Sequence, residues 1–224
     1  MTLTFRAVNA TMKSLTHVLC RIDDSQLSLV PGHGPLILVA NHINFLEVPV
    51  VFTHLQPRPV TGFVKSETWD NRAMALLFNV WGGIPLKRGE ADMAAYHLAL
   101  EALAAGKIVA VAPEGTRSGD GHLQQGNPGI VTLALRSGAP VLPLVYFGSE
   151  QFRSNIIRLR RTDFQIRVGR PFYLHTGGVK ITRHVRQAIT DEIMYQLAAL
   201  LPASYRGVYA NLDAATQNHL RFLS

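Results

Sequence analysis

The sequence predicts an α/β fold: one domain built on a mixed, mostly parallel sheet flanked by helices, with an amphipathic helix leading into it. Three observations carry that prediction. Short, nearly continuous apolar runs recur (LILVA, KIVAVA, PVLPLVYF), as suits strands buried on both faces. Segments with helical spacing lie between them, several stopped by a glycine. The unit of helix, glycine and apolar strand occurs twice in succession, at 91–112 and 130–147, which is the order in which parallel neighbours are connected.

A chain of 224 residues, 47% of them hydrophobic, suffices for one sizeable core, and no Pro/Gly/Ser-rich linker divides it. Within the single domain we distinguish an N-terminal amphipathic segment (1–30), a core carrying the chemistry (31–175) and a C-terminal helical segment (176–224). The formal net charge of +7 calls for a polyanion, whether nucleic acid, anionic lipid headgroups or a phosphorylated substrate. Cys20, the one cysteine, excludes a disulfide framework and a cysteine-rich zinc module. Since no uninterrupted run of 18 apolar residues occurs, no spanning helix is expected.

Taken in order, residues 3–19 place Phe5, Val8, Met12, Leu15 and Leu19 at helical spacing, with Arg6, Lys13 and His17 on other faces. Such a helix packs on its own domain or lies in a lipid interface, and it lacks the apolar core and cleavage site of a secretory signal. A turn rich in Pro and Gly (31–35) leads into a short buried strand at 36–40. The next helix is apolar on most sides (Phe45, Leu46, Val48, Val50, Val51, Phe52). It therefore sits at the centre of the core or offers apolar surface to lipid or an acyl chain. A strand at 60–64 precedes a helix capped by Ser66, carrying Trp69, Met74, Leu77, Phe78 and Trp81 and ended by Gly82-Gly83. Ile84-Pro85-Leu86 then delivers Lys87 and Arg88 to a loop. Helix 91–105 stops at Gly106 before strand 107–112, and helix 130–137 stops at Gly138 before strand 140–147, where Pro143 suggests an edge or a bulge. Strand 164–168 and a helix at about 181–201, striped by Ile181, Val185, Ile189, Ile193, Leu197 and Leu200, complete the pattern. The basic run Arg158, Arg160, Arg161, Arg167 and Arg170 is a solvated face or a contact for anionic lipid.

Chemistry concentrates in the loops after the strands. Asn41, His42 and Glu47 follow 36–40 directly. On one continuous helix a five-residue separation turns through about 500°, which would point His42 and Glu47 apart, so they meet only if His42 lies in the turn before the helix. Asn44 suits the N-cap of that helix, and Pro49 is tolerated near its first turn. Asn44 and Glu47 also stand at capping-box spacing, in which the carboxylate merely satisfies backbone donors. The second loop, VAPEGTRS, places Glu114, Gly115, Thr116 and Arg117 at the end of an apolar strand, where ligands bind in parallel sheets. A hydroxyl, a guanidinium and a glycine suit a phosphate; a structural turn is the alternative. His42 with Glu47, Lys87 with Arg88, and 114–117 could share one rim. A base, an orienting acid and two cationic clusters describe transfer onto a hydroxyl of a phosphate-bearing molecule.

These blocks resemble the glycerolipid acyltransferases, the family that includes the 1-acyl-glycerol-3-phosphate acyltransferases. Asn41, His42 and Glu47 lie at the positions of its Asn-His-x-x-x-x-Asp block, and Gly83-Ile84-Pro85-Leu86-Lys87-Arg88 matches its glycine-apolar-basic block. Pro-Glu-Gly-Thr-Arg is present unchanged as 113–117, and Val141-Leu142-Pro143-Leu144 fits the apolar block around a proline. Lys65 with Glu67 fits the segment between the first two, and the likeness spans roughly 32–172 in the right order. Three departures stand out: Glu47 replaces the usual aspartate, Asn44 the frequent serine and Ala112 the common phenylalanine.

The resemblance implies a glycerol-3-phosphate-acyltransferase-like fold. It further implies an O-acyltransferase that moves a fatty acyl group from a thioester, acyl-CoA or acyl-carrier protein, to a lysophosphatidic-acid-like acceptor in phospholipid biosynthesis. His42 is then the base and Glu47 its orienting partner; Lys65, Lys87, Arg88, Glu114, Gly115, Thr116 and Arg117 bind substrate, and an apolar groove takes the acyl chain. No cofactor or metal is expected, the thioester being a co-substrate. The expected location is cytoplasmic and peripheral to a membrane surface, with no nucleic-acid partner, since the arginine run interleaves only Phe164. Two competing readings are a thioesterase using the same His-Glu base and a non-catalytic anionic-lipid-binding protein.

Overall fold

The computed structural model describes residues 2–87 and 92–223. Helix α1 (Leu3–Leu19), opened by the Thr2 hydroxyl accepting from the Phe5 N–H, runs straight into strand β1 (Cys20–Asp23). Then follow β2 (Leu36–Ala40), α2 (Glu47–His54), β3 (Val60–Lys65), α3 (Arg72–Trp81) and β4 (Ile84–Leu86). After them come α4 (Met93–Ala104), β5 (Ile108–Val111), α5 (Gly129–Ser137) and β6 (Val141–Phe147). The chain closes with α6 (Phe152–Ile157), β7 (Thr162–Val168), β8 (Phe172–Leu174), α7 (Arg183–Leu200) and β9 (Leu220–Phe222).

One sheet joins all nine strands in the order β1-β7-β6-β2-β5-β3-β4, with β8 bonded to β6 and β9. The strands β6, β2, β5, β3 and β4 are mutually parallel, β7 runs antiparallel to β6 with β1 parallel to it, and β8 and β9 enter antiparallel to β6 and β8, so the sheet is mixed and mostly parallel as expected. Crossover helices divide the apolar residues between its two faces. Below lies a core of Ile37, Val39, Val109, Ile130, Ile189 and Leu197 under α4, α5 and α7. Above lies a second, with Leu36, Leu38, Val50, Phe52, Trp81 and Phe164, beneath α1, α2 and α3. Five parallel strands side by side aim their C-terminal ends the same way, and that edge collects His42, Lys65, Lys87 and Glu114.

Local chemistry moves several boundaries. The helix expected from Ser66 is instead a 3-10 turn (Ser66–Asp70), after which Asn71 caps α3 by accepting from the Ala73 and Met74 N–H groups. Asn44 does not cap α2: its side chain accepts from the Leu46 N–H at 2.8 Å as a turn before the helix, which starts at Glu47 and leaves Pro49 in the first turn. Pro143 lies in a central strand rather than at an edge. Its carbonyl accepts the Gly169 N–H on the side where β6 exchanges partner β7 for β8, and its missing N–H falls in that same break. A Cβ on Gly169 would stand 2.7 Å from the Pro143 ring, so only glycine fits the handover. Strands β1, β8 and β9 were not anticipated, and the C-terminal segment therefore contributes a strand as well as a helix.

Helix α1 packs on the domain, with Phe5, Val8, Met12 and Leu19 against the upper core and Asn9 accepting the Trp81 indole N–H at 2.8 Å. The basic run is not one solvated face. Arg161 donates to the His17 and Cys20 carbonyls at the end of α1, and Arg167 pairs with Asp23 at 3.1 Å. No helix among the described residues is long and apolar enough to cross a membrane.

Candidate active site

The turn between β2 and α2 decides the geometry. Asn41, buried, bonds the backbone of Tyr146 on neighbouring β6 in both directions at 2.8 Å, which pins the chain where it leaves the sheet. His42 follows outside any helix, and its Nδ1 lies 3.1 Å from Oε2 of Glu47 at the start of α2. The same Glu47 carboxylate receives the Asn44 N–H on both oxygens and the Ser149 hydroxyl on Oε1 at 3.3 Å. The backbone contact expected of a capping box and the dyad are thus one arrangement, although no helix end is capped by it: the Asn44 N–H fixes the carboxylate, and the fixed carboxylate orients the imidazole. With Nδ1–H given to Glu47, the other ring nitrogen is left as a proton acceptor. Glu47 is buried, whereas the His42 ring keeps 17% exposure and borders open space.

The 113–119 loop is fastened to this turn. His42 donates its backbone N–H to Oε1 of Glu114 at 3.2 Å, Ser118 N–H donates to the His42 carbonyl at 2.8 Å, and Gly119 N–H to the Ile43 carbonyl at 3.0 Å. Glu114 therefore faces inward as a strut beneath His42. Burial pushes its carboxyl up to about 7, against the N–H groups of His42 and Gln124 that hold it down; the Glu47 charge adds to the rise. Gly115 takes φ +72, a left-handed turn that non-glycine residues resist, and Asn127 braces the loop through the Pro113 and Glu114 carbonyls.

A groove of about 590 Å³ opens at His42, within the range of ligand sites. Lys65, Thr116 and Arg117 stand around it with His42, and its wall is apolar, from Met12 and Leu15 of α1, Phe45, and Leu77, Phe78 and Trp81 of α3. Stacking of Phe52 on Trp81 at 4.9 Å stiffens that wall. Lys65 is half-exposed and pairs with Glu67 at 3.1 Å. Lys87 lies on an adjoining pocket that shares Phe63 and Thr116 with the groove. Arg88 lies outside the described residues. Of the residues singled out in the sequence, then, His42, Glu47, Lys65, Thr116 and Arg117 converge, Lys87 is next door, and Glu114 and Gly115 shape the loop. Ser149 was missed, because its contact with Glu47 joins residues 102 apart and nothing local marks it.

The sequence matches the Acyltransferase family over residues 21–147, more than half of the chain and all four motif blocks. The chain belongs to that family. Among its relatives, a chloroplastic 1-acyl-sn-glycerol-3-phosphate acyltransferase of Brassica napus is 27% identical over 151 residues, 65% of this chain and 43% of that protein. A chloroplastic counterpart from Arabidopsis thaliana is 30% identical over 54% of this chain and 34% of its own length. The chain thus spans less than half of either plant relative. The 1-acyl-sn-glycerol-3-phosphate acyltransferase of Borreliella burgdorferi is 23% identical, covering 77% of this chain and 68% of its own. The crystal structure of the 1-acyl-sn-glycerophosphate (LPA) acyltransferase PlsC of Thermotoga maritima superposes with a TM-score of 0.62 over 88% of this chain and 78% of that one, at 20% identity, which shows a shared fold.

Proposed function

We propose that the chain is an O-acyltransferase moving a fatty acyl group from an acyl thioester to the free hydroxyl of a lysophosphatidic-acid-like acceptor. One observation carries the reading: the groove at His42 is polar and cationic at the dyad and apolar along its length, the shape of a phosphate-bearing amphiphile. Lys65, Thr116 and Arg117, with Lys87 beside them and Arg88 as the next residue in sequence, bind the acceptor's phosphate, and the α1–α3 wall takes the acyl chain. His42 accepts the hydroxyl proton as that oxygen forms its bond to the thioester carbonyl carbon, and Glu47 stabilises the imidazolium. Collapse of the tetrahedral intermediate breaks the carbon–sulfur bond, and His42 returns the proton to the departing thiolate. The substrate brings the nucleophile, so no enzyme nucleophile or cofactor enters. The donor is acyl-CoA or acyl-carrier protein, and the protein works as a peripheral protein on the cytoplasmic face of a membrane.

The test is acyl-CoA supplied to purified protein with and without lysophosphatidic acid, the products read by mass spectrometry. The expected result is diacylated phosphatidic acid only when the acceptor is present, with at least a thousandfold loss in a folded His42→Ala variant. Free fatty acid released at the same rate without acceptor would make the protein a hydrolase.

A further inference from the structure

The α6–β7 connection presents a surface that the catalytic reading does not use. Ile157 is 83% exposed and Leu159 95% exposed, the most exposed large apolar residues described beside Leu3. Arg158, Arg160 and, one turn earlier, Arg153 are exposed around them and form no ion pair among the described residues. The backbone makes the leucine conspicuous. The N–H of Arg160 bonds the Asn155 carbonyl at 2.8 Å and the N–H of Leu159 that of Ile156 at 3.1 Å, the helix-ending motif whose left-handed position glycine normally fills. Here Leu159 fills it at φ 53, so the fold bears the strain of a side chain that packs on nothing.

Location gives the fingertip a purpose. Arg161, next in sequence, holds the carbonyls of His17 and Cys20 at the end of α1, beside exposed Val18 and Leu15. Phe152 of α6 packs edge-on against Phe45 at 5.4 Å, and both Phe45 and Leu15 border the substrate groove. The helix that bears the fingertip therefore abuts the groove wall through Phe152 at its start, and Arg161 ties the far side of the tip to the end of α1.

We propose that the Ile157–Leu159 tip inserts into an anionic phospholipid bilayer while Arg153, Arg158 and Arg160 engage its headgroups, docking the groove onto the membrane that holds the acceptor. Charge decides for lipid over a protein partner. Two apolar side chains interleaved with unpaired guanidiniums match an acyl layer under a negative headgroup layer. They are far too small for the roughly 800 Å² per partner of a stable protein interface. The purpose of this docking rests on the lipid-acceptor reading, but the binding itself does not, and it is measured without turnover.

The experiment is sedimentation of the whole chain with vesicles of phosphatidylcholine alone or mixed with phosphatidylglycerol, for wild type, Leu159→Gly and the double variant R158Q/R160Q. Wild type should partition increasingly with the phosphatidylglycerol fraction and be released by salt. L159G should bind about tenfold more weakly, and R158Q/R160Q about thirtyfold more weakly at low salt. The melting temperature of L159G should equal or exceed that of wild type, since glycine suits the left-handed position, so its weaker binding would not reflect misfolding. All three should turn over a short-chain, water-soluble lysophosphatidic acid equally. Variants that bind anionic vesicles like wild type overturn the proposal. So does a wild-type dimer that L159G converts to monomer, which would make the tip an interface between copies of this chain. If vesicle binding follows the expected order but no acyl transfer occurs, the docking stands and the catalytic reading falls.

Discussion

At Glu47 one carboxylate has two duties that sequence logic treats as rivals. Its position at capping-box spacing and its position five residues after a histidine were both legible in the sequence; their union was not, because it depends on where β2 ends. The pocket around it is fitted to a glutamate, with Asn44 N–H, Ser149 hydroxyl and His42 Nδ1 all reaching its two oxygens. Glu47→Asp draws the carboxylate back by one methylene, so it can keep the backbone donor or the imidazole but not both. We expect kcat to fall ten- to a hundredfold with KM nearly unchanged, the cost of one hydrogen bond to a charged group; steady-state kinetics at saturating substrates would show it, and an undiminished kcat would refute the fitted pocket. Glu114 makes a separate prediction. Its folded carboxyl holds a proton up to about 7 against an ordinary value of 4.5, so the native state binds more protons than the unfolded chain between those limits. Stability therefore declines as pH rises through that window, by about 2–3 kcal/mol from this group. Glu114→Gln should flatten that part of the slope, as read from urea midpoints at pH 5 and 7.5.

Elements were legible in proportion to how much of their pattern is local. β2, β5 and β6 are buried on both faces and read as continuous apolar runs, while α4 and α5 end in glycines that adopt left-handed conformations just beyond them. The short strands β1, β8 and β9 carry three or four residues each, partly exposed, and their identity comes from distant partners such as Thr162 opposite Cys20. Pro143 shows the converse limit: the proline rule is right about the lost donor, but where the ladder tolerates the loss depends on a partner change that sequence does not display. Helix α1 depends on such a distant contact too, through Arg161. Arg161→Ala removes both side-chain bonds where α1 passes into β1, to the carbonyls of His17 and Cys20. Amide exchange over residues 13–20 should then speed up about tenfold or more, with β2 and β6 unaffected; uniform acceleration would instead indicate global destabilisation.

For the molecule as a whole, parallel order turns scattered residues into a site. Neighbouring strands β2, β5, β3 and β4 each end at the same edge, so the residues that follow β2, β3 and β5, and Lys87 after β4, gather there. That much was foreseeable from the helix-glycine-strand grammar; which cations face the groove and which merely flank it was not, since this depends on loop shape. The same topology sets when the site can exist during synthesis. Among the described residues strand β1 pairs only with β7, with Arg21 paired to Asp163, 142 residues later. At ordinary translation speeds the gap is on the order of ten seconds. For that interval α1 is already made but has neither its strand anchor nor the arginine that clamps its end. Its apolar stripe is then open to chaperones or to a membrane before the domain it packs on is complete, so any encounter of that stripe with lipid can precede folding.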